Sequence, residues 1–487
     1  MKKFPTTFKS KTVATIILAL ISITANAQNH PYILPKDSLV LAKLQTWKDW
    51  KFGVLIHWGA YAQWGVVESW SLCPEDEGWC ERRGPHAENY SEYKKAYENI
   101  RKEFNPQNFD PQKWADAFKN AGMKYVVFTT KHHDGFCMYD SKYTNYKITD
   151  TASAFSKNPK SNVAQEVFTA FRNDGFGIGA YFSKPDWHNE NYWWPYFPPL
   201  DRNVNYDPTK HPERWKAFQD FTYNQIEEIM SGYGKFDLIW LDGGWVRPAN
   251  TLDKETSEWL GKRKWIQDVN MPRIAAMARS HQPWLLVVDR SVHGEYENYR
   301  TPEQQVPEKL LDYPWESCIT LGPGWYSANP NEKYKTVKQA IQLLINIVSK
   351  GGNLLLGIGP DKTGDLVPEV YERLKGIGEW MKVNGEGIYG TVPNDIYESG
   401  NWRFTKSRKD KSVYAFYLPG ETETGISNKI LLPQLKPATK SEIYLLGYDK
   451  PLKWQVAQDG ISIIIPDAIV GKFKSEPALT FKVQTLK

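Results

Sequence analysis

"FDLIWLDGGW", residues Phe236 to Trp245, decides how the rest of the chain is read. Leu238 to Leu241 form an unbroken apolar run, as a buried strand would. One carboxylate follows, Asp242, and then the pair Gly243–Gly244, where the chain must turn. An ordinary turn accounts for an Asp placed before Gly. A parallel α/β barrel accounts for it equally well, because the C-terminal ends of barrel strands face the catalytic mouth. The surrounding sequence separates the two.

Similar short apolar runs recur along the chain. "FGVLIHWG" (Phe52 to Gly59) and "KYVVFTTKHHDGF" (Lys124 to Phe136) come before it, as does "FGIGAYFS" (Phe176 to Ser183). "WLLVVDR" (Trp284 to Arg290), "ESCITLG" (Glu316 to Gly322) and "GNLLLGIG" (Gly352 to Gly359) come after. Near-continuous hydrophobicity is the mark of parallel strands covered on both faces. Helical stretches lie between them. "DPQKWADAFKNAG" has Asp110 as N-cap, Pro111 at the first position and Gly122 at its end, with an apolar stripe of Trp114, Phe118 and Ala121. This alternation predicts a (β/α)8-like TIM barrel over residues 28–390. A doubly wound sheet is disfavoured, since no Gly-rich phosphate loop follows the first strand. From 391 to 487 the pattern changes to short alternating runs, among them "SVYAFYL", "EIYLLGY" and "LTFKVQ". These predict a C-terminal antiparallel β-sandwich.

The N-terminus reads as an export signal over residues 1–27. Lys2, Lys3, Lys9 and Lys11 precede the apolar run Val13 to Ile23, and Ala25 to Ala27 provide a small-x-small cleavage site before Gln28. The expected location is therefore periplasmic or secreted, and the apolar run is too short to insert as a membrane span. Without its four Lys, 57 of the 61 basic residues remain against 56 acidic ones. So balanced a charge gives no reason to expect nucleic acid or an anionic membrane as partner. The chain carries 21 Trp, 27 Tyr and 21 Phe; such rings fill cores and also stack on sugar faces. Four Cys do not make a disulfide framework, although export would permit a Cys73–Cys80 bridge.

Strand periodicity brings chemistry to the mouth. Residues two apart share a face, so Trp240 and Asp242 point together into it. A carboxylate beside a ring in a dry cleft suits nucleophilic sugar chemistry. His57 ends the first strand, and His132 and His133 end the second. Adjacent histidines on a regular strand face opposite ways, which disfavours a chelating pair, and no third ligand is evident; no metal is assigned. Asp289 and Arg290, at the end of the fifth strand, could pair with each other. "DRSVHGEYENYRTPEQQVPE" then offers Glu295, Glu297, Glu303 and Glu308 as a second carboxylate, and spacing alone cannot choose among them.

Taken in order, "KFGVLIHWG", "TKHHDGF", "IWLDGG", "TPEQQ", "PWESC" and "VSKGGNLLLGIGP" resemble the α-L-fucosidases of glycoside hydrolase family 29. The resemblance spans residues from about 40 to 390. It implies an exo-acting, retaining enzyme without metal or cofactor that removes terminal α-L-fucose from an oligosaccharide or glycoconjugate. Asp242 matches the family nucleophile. His57, His132 and His133 match the histidines that hold fucose hydroxyls, and Trp240 the pocket tryptophan. Tyr181 matches the tyrosine ending the third strand, and Arg290 the arginine after the fifth. Glu68 and Trp70 in "VESWSL" resemble a Glu-Trp pair, with Ser69 as an extra residue. Glu303 is the best match to the acid/base, with Glu295 and Glu297 as alternatives, and the two carboxyls are expected about 5–5.5 Å apart. The form of this loop is closer to the subfamily preferring branched α-1,3/1,4-fucosides. "GPGWY" after "PWESC", and Gly357 where Asn is common, depart from the family pattern. An exo-glycosidase for another galacto-configured sugar and a non-catalytic sugar-binding protein are the rival readings. Oligomeric state is open.

Overall fold

The structure, a computed structural model, describes residues 31–74, 80–254, 256–326, 332–421, 423, 427–438, 440–471 and 475–484. The expected export signal lies outside the described residues, as does segment 75–79 between Cys73 and Cys80.

Each of the seven apolar runs forms a strand: β1 (Phe52–Ile56), β2 (Tyr125–Lys131), β3 (Gly177–Ser183), β4 (Leu238–Asp242), β5 (Leu286–Asp289), β6 (Glu316–Thr320) and β7 (Asn353–Ile358). They pair in parallel in the order β5-β4-β3-β2-β1-β7-β6. Helix α1 (Ser38–Trp50) precedes β1. Helices α2 (Tyr90–Glu98) and α3 (Pro111–Asn120) lead into β2, α4 (Val163–Asn173) into β3, α5 (Pro212–Gly232) into β4 and α6 (Met271–His281) into β5. Helix α7 (Val337–Ser349) separates β6 from β7, and α8 (Pro368–Asn384) follows β7. Local chemistry fixes the helix ends. The Asp110 side chain accepts from the backbone of Gln112 and Lys113 at the start of α3, and Thr336 with Gln339 forms a capping box on α7.

Between β5 and β6 no regular strand intervenes. Residues 296–304 fill the space as an irregular closing segment. Asn298 N–H donates to Val287 O (2.9 Å) and Asp289 N–H to Tyr296 O (2.8 Å), which ties the segment to β5. Glu316 N–H donates to Arg300 O (2.9 Å) and Gln304 N–H to Cys318 O (2.9 Å), which ties it to β6. The barrel is thereby closed by a stretch that carries none of the apolar pattern of a strand.

Period-2 alternation divides the core. Val54, Phe128, Ile239, Val287 and Leu356 point outward against the helices. Leu55, Val127, Tyr181, Trp240, Val288, Cys318 and Leu355 fill the interior, with Val40, Leu44 and Trp47 of α1 closing its floor. Trp47 is buried and stacked on Tyr299 of the closing segment, centroids 3.9 Å apart.

The C-terminal part forms two antiparallel sheets. Strands β8 (Thr391–Ser399), β9 (Trp402–Ser407), β10 (Val413–Tyr417), β11 (Lys429–Pro433), β12 (Glu442–Leu445), β13 (Lys453–Ala457), β14 (Gly460–Ile464) and β15 (Leu479–Gln484) assemble as β12-β15-β10-β9-β8 and β11-β14-β13. A separate apolar cluster including Phe404, Ile443, Ile463 and Phe481 lies between them. Gln342 of α7 donates to Pro419 O and Pro477 O, and Trp380 of α8 to Ala478 O, which joins these sheets to the barrel helices.

If α1 is a structural floor, Trp47→Ala removes both the stack on Tyr299 and the fill beneath the site. The expected loss is about 3–5 kcal/mol of unfolding free energy, read from urea denaturation. A loss under about 1 kcal/mol would show that the barrel closes without it.

Candidate active site

Inward positions at the C-terminal ends of neighbouring strands bring His57, Tyr181, Asp242 and Arg290 together. Each lies two residues beyond, or in line with, an interior core residue of its own strand. They line a cavity of about 1000 Å³ with Glu68, Trp70, His132, His133, Trp240, Glu303 and Trp325.

Asp242 is the centre of the arrangement. Tyr181 Oη donates to its Oδ2 (2.7 Å), and Arg290 Nη1 donates to its Oδ1 (3.0 Å). Burial alone would raise this carboxyl. Arg290, then His133 and Tyr181, outweigh burial and hold it well below the usual carboxylate range. The other terminal nitrogen of Arg290, Nη2, donates to Glu303 Oε2, and Trp325 Nε1 donates to Glu303 Oε1 (2.8 Å). One guanidinium thus holds two carboxyl groups side by side. Glu297 instead meets His293 (2.8 Å) and Arg300 (3.4 Å). Glu295 is not among the residues lining the cavity.

Asp289 and Arg290 do not pair with each other. As strand neighbours they face opposite sides; Asp289 takes buried Lys184 behind the site, while Arg290 turns into it. The two adjacent histidines depart from expectation in the other direction. Strand β2 ends at Lys131 with a register shift between Thr129 and Lys131, so alternation lapses before His132. Their ring centroids lie 4.1 Å apart and both line the cavity. His132, His133 and Asp242 each offer a ligand atom within 4.8 Å of the others, so spacing along the strand does not rule out chelation in the folded chain. The Arg290 charge on Asp242 weighs against a cation there.

Hydroxyl groups set the histidines. Ser183 Oγ donates to Pro185 O (3.1 Å), so toward His133 it accepts from Nδ1–H. That leaves His133 Nε2 as an acceptor, 3.8 Å from Asp242 Oδ2. Ser69, the extra residue, accepts from Asp134 N–H (2.9 Å) and meets His132 Nδ1. Tyr61 Oη meets His57 Nδ1 (3.0 Å). Burial lowers His57 to about 3 and His133 to about 4; Asp242 opposes the shift in both. All three imidazoles are neutral near pH 7, because His132 is also held well below its ordinary value by burial.

Glu68 is neutral too. Burial foremost, with Asp242 adding, raises its carboxyl to about 8, and Oε1 has no hydrogen-bond partner among the described residues. Its φ of 41° is rare for a non-glycine residue and is a strain typical of functional sites. Trp70 packs edge-on to His133 (5.2 Å), and Arg202 lies over the rings of Trp70 and Trp245. Trp240 stacks on Tyr181 (5.3 Å), but its Nε1 donates inward to Glu316 (3.3 Å), so its ring rather than its N–H serves the cavity.

Sequence reasoning missed Trp325, Ser69, Ser183, Tyr61, Arg202 and Trp245. All but Ser183 lie outside the barrel strands, where no period marks which side chains turn inward.

Comparison with known proteins gives a single family. The model for alpha-L-fucosidase matches residues 19–386, and that for the alpha-L-fucosidase C-terminal domain matches 394–484. Rat tissue alpha-L-fucosidase is 30% identical, with 96% of each chain covered. Among solved structures, alpha-L-fucosidase isoenzyme 1 from Paenibacillus thiaminolyticus superposes with a TM-score of 0.71 at 27% identity, covering 92% of this chain and all of that one. Thermotoga maritima alpha-fucosidase in complex with fucose gives 0.66 at 25% identity, covering 93% of this chain and 97% of that one.

The depressed histidine has a consequence for pH dependence. Below about pH 4, His133 gains a proton, becomes a donor toward Asp242 and quenches its lone pairs. The acid limb of kcat/KM on an activated aryl glycoside is expected near pH 4, and His133→Asn should move it lower. A limb unchanged in that variant would take His133 out of the profile.

Proposed function

Because the chain belongs to the α-L-fucosidase family, we propose that it hydrolyses terminal α-L-fucose by double displacement, with retention at the anomeric carbon. Asp242, ionised, attacks C1. As that bond forms, the C1–O bond to the aglycone breaks, and the leaving oxygen takes a proton from Glu303. A β-linked fucosyl ester on Asp242 results. Glu303, now a carboxylate, takes a proton from water; the water oxygen bonds C1, the ester breaks, and α-L-fucose leaves. The single observation that carries this reading is Arg290, whose two terminal nitrogens hold Asp242 and Glu303 together. Retaining enzymes need such a pair roughly 5–5.5 Å apart. A binding-only protein would have no use for a bridged carboxylate pair.

The neutral histidines and Glu68 are assigned the sugar hydroxyls, and Trp70, Trp240 and Trp245 provide an aromatic wall for the C6 methyl. We further propose preference for branched α-1,3/1,4-linked fucose. A cavity of about 1000 Å³ far exceeds one deoxyhexose and leaves room for a branched aglycone. Export to the periplasm or exterior is proposed from the N-terminal segment alone. Among the described residues no helix is long and apolar enough to cross a membrane.

Two experiments test the mechanism and the preference. Asp242→Asn should cost on the order of 10⁴-fold or more in kcat while the protein stays folded, and a 2-fluorofucosyl inactivator should label the peptide containing Asp242. Label on any other peptide overturns the nucleophile. On a substrate panel, a Lewis-type branched glycan should exceed an α-1,2-linked fucoside at least about tenfold in kcat/KM, a difference of roughly 1.4 kcal/mol; equal rates would remove the linkage preference and leave the chemistry standing.

A further inference from the structure

Gly357 occupies an inward position of β7, two residues beyond the interior residue Leu355 and in register with Leu55 of β1 and Thr320 of β6. A side chain there would project into the mouth. Its backbone is not in the left-handed region, so glycine supplies space rather than conformation. What uses the space is Trp325. A Cβ on residue 357 would stand 3.0 Å from Cε3 and Cζ3 of that indole, tighter than most packed side chains, so the ring would have to give by a few tenths of an ångström. With no Cβ, the ring reaches the cavity, comes within 6.2 Å of the His57 ring and donates from Nε1 to Glu303 Oε1. Two separate departures in the sequence, "GPGWY" and the glycine in "LLLGIG", are one steric device.

We propose that Trp325, admitted by Gly357, is the positioning residue of the acid/base; this rests on Glu303 holding that role. An indole N–H can only donate. Oε1 therefore accepts from the indole as Oε2 accepts from Arg290, and the two donors together fix the carboxyl group with Oε2 turned away from the indole. That oxygen lies on the Arg290 side, toward Asp242, where the scissile bond must sit. After the proton has gone, the same N–H holds the carboxylate in place to receive the proton of the attacking water. Trp325 contacts no reacting atom; it acts through Glu303.

The test is a series of aryl fucosides of rising leaving-group pKa together with an unactivated fucosyl disaccharide. Trp325→Phe keeps an aromatic ring and deletes the donor. On the disaccharide kcat/KM should fall on the order of tenfold or more, as loss of a hydrogen bond to a charged group does, while the most activated aryl fucoside changes little. The dependence of rate on leaving-group pKa therefore steepens. Gly357→Ala, with Trp325 intact, should act in the same direction and should add little in the Trp325→Phe background. A parallel loss across the series, or none, overturns the proposal, since a merely structural role slows all substrates alike. Thermal melting checks each fold; if Trp325→Phe does not fold, Gly357→Ala carries the test alone. Glu303→Ala with azide separates the two levels. Rescue as α-fucosyl azide, formed when azide takes the place of the attacking water on the β-linked ester, with an unchanged slope in Trp325→Phe, sinks only the Trp325 role. Rescue of Glu295→Ala or Glu297→Ala instead sinks Glu303, and Trp325 with it.

Discussion

Two carboxyl groups that must work within one bond length of the same carbon repel each other when both are charged. Arg290 resolves that conflict, and the rest of the mouth is arranged around it. Its position on the strand register sends it inward beside Asp242, while its neighbour Asp289 faces the other way and is neutralised by Lys184. The histidines and Glu68 beside this trio add no charge to it. Burial keeps the histidines deprotonated and Glu68 protonated. A site of that kind suits an uncharged polyol in the ground state, and confines the field to the atom where positive charge develops on the way to the intermediate.

The nucleophile and the acid are held by different kinds of structure. Asp242 ends a regular strand, and its donors Tyr181 and Arg290 come from the strands on either side, so its geometry follows from the barrel itself. Glu303 sits on the irregular segment that closes the gap between β5 and β6. Backbone hydrogen bonds to both strands fix that segment as firmly as a strand would be, yet no alternation dictates which side chains face inward. The acid is therefore aimed by side-chain partners.

This division explains what could be read from the sequence. Asp242 was legible because period-2 patterning turns it inward beside Trp240; Tyr181 and Arg290 were legible only by resemblance, and His57 by its place at a strand end together with that resemblance. The seven barrel strands were legible from their near-continuous hydrophobicity. Glu303 could be told from Glu295 and Glu297 only by resemblance, since the closing segment has no period; in the fold Glu297 is consumed by His293 and Arg300. The histidine pair was misread because alternation was extended past Lys131, where the strand stops. In the C-terminal sheets, β8, β9 and β13 escaped notice: they are polar and half-exposed, with Lys, Arg, Glu and Gln where apolar residues would have marked them.

Absence of a side chain is also a signal, and a sequence shows it only once the fold assigns an inward direction. On β7, Leu355 fills the interior and the next inward position is empty. An empty place at the mouth of a packed barrel is unstable unless something enters it, because unfilled apolar space costs stability. The entrant must come from a neighbouring loop, and the loop after the adjacent strand β6 carries Trp325. A strand thereby gives up a residue of its own so that a loop residue can reach the acid. The nucleophile's surroundings cannot change in that way without breaking strand pairing, whereas the acid's can. Variation among such barrels should then collect around the residue that meets the leaving group, the part of the substrate that differs from one glycan to the next, and spare the residue that meets the common sugar.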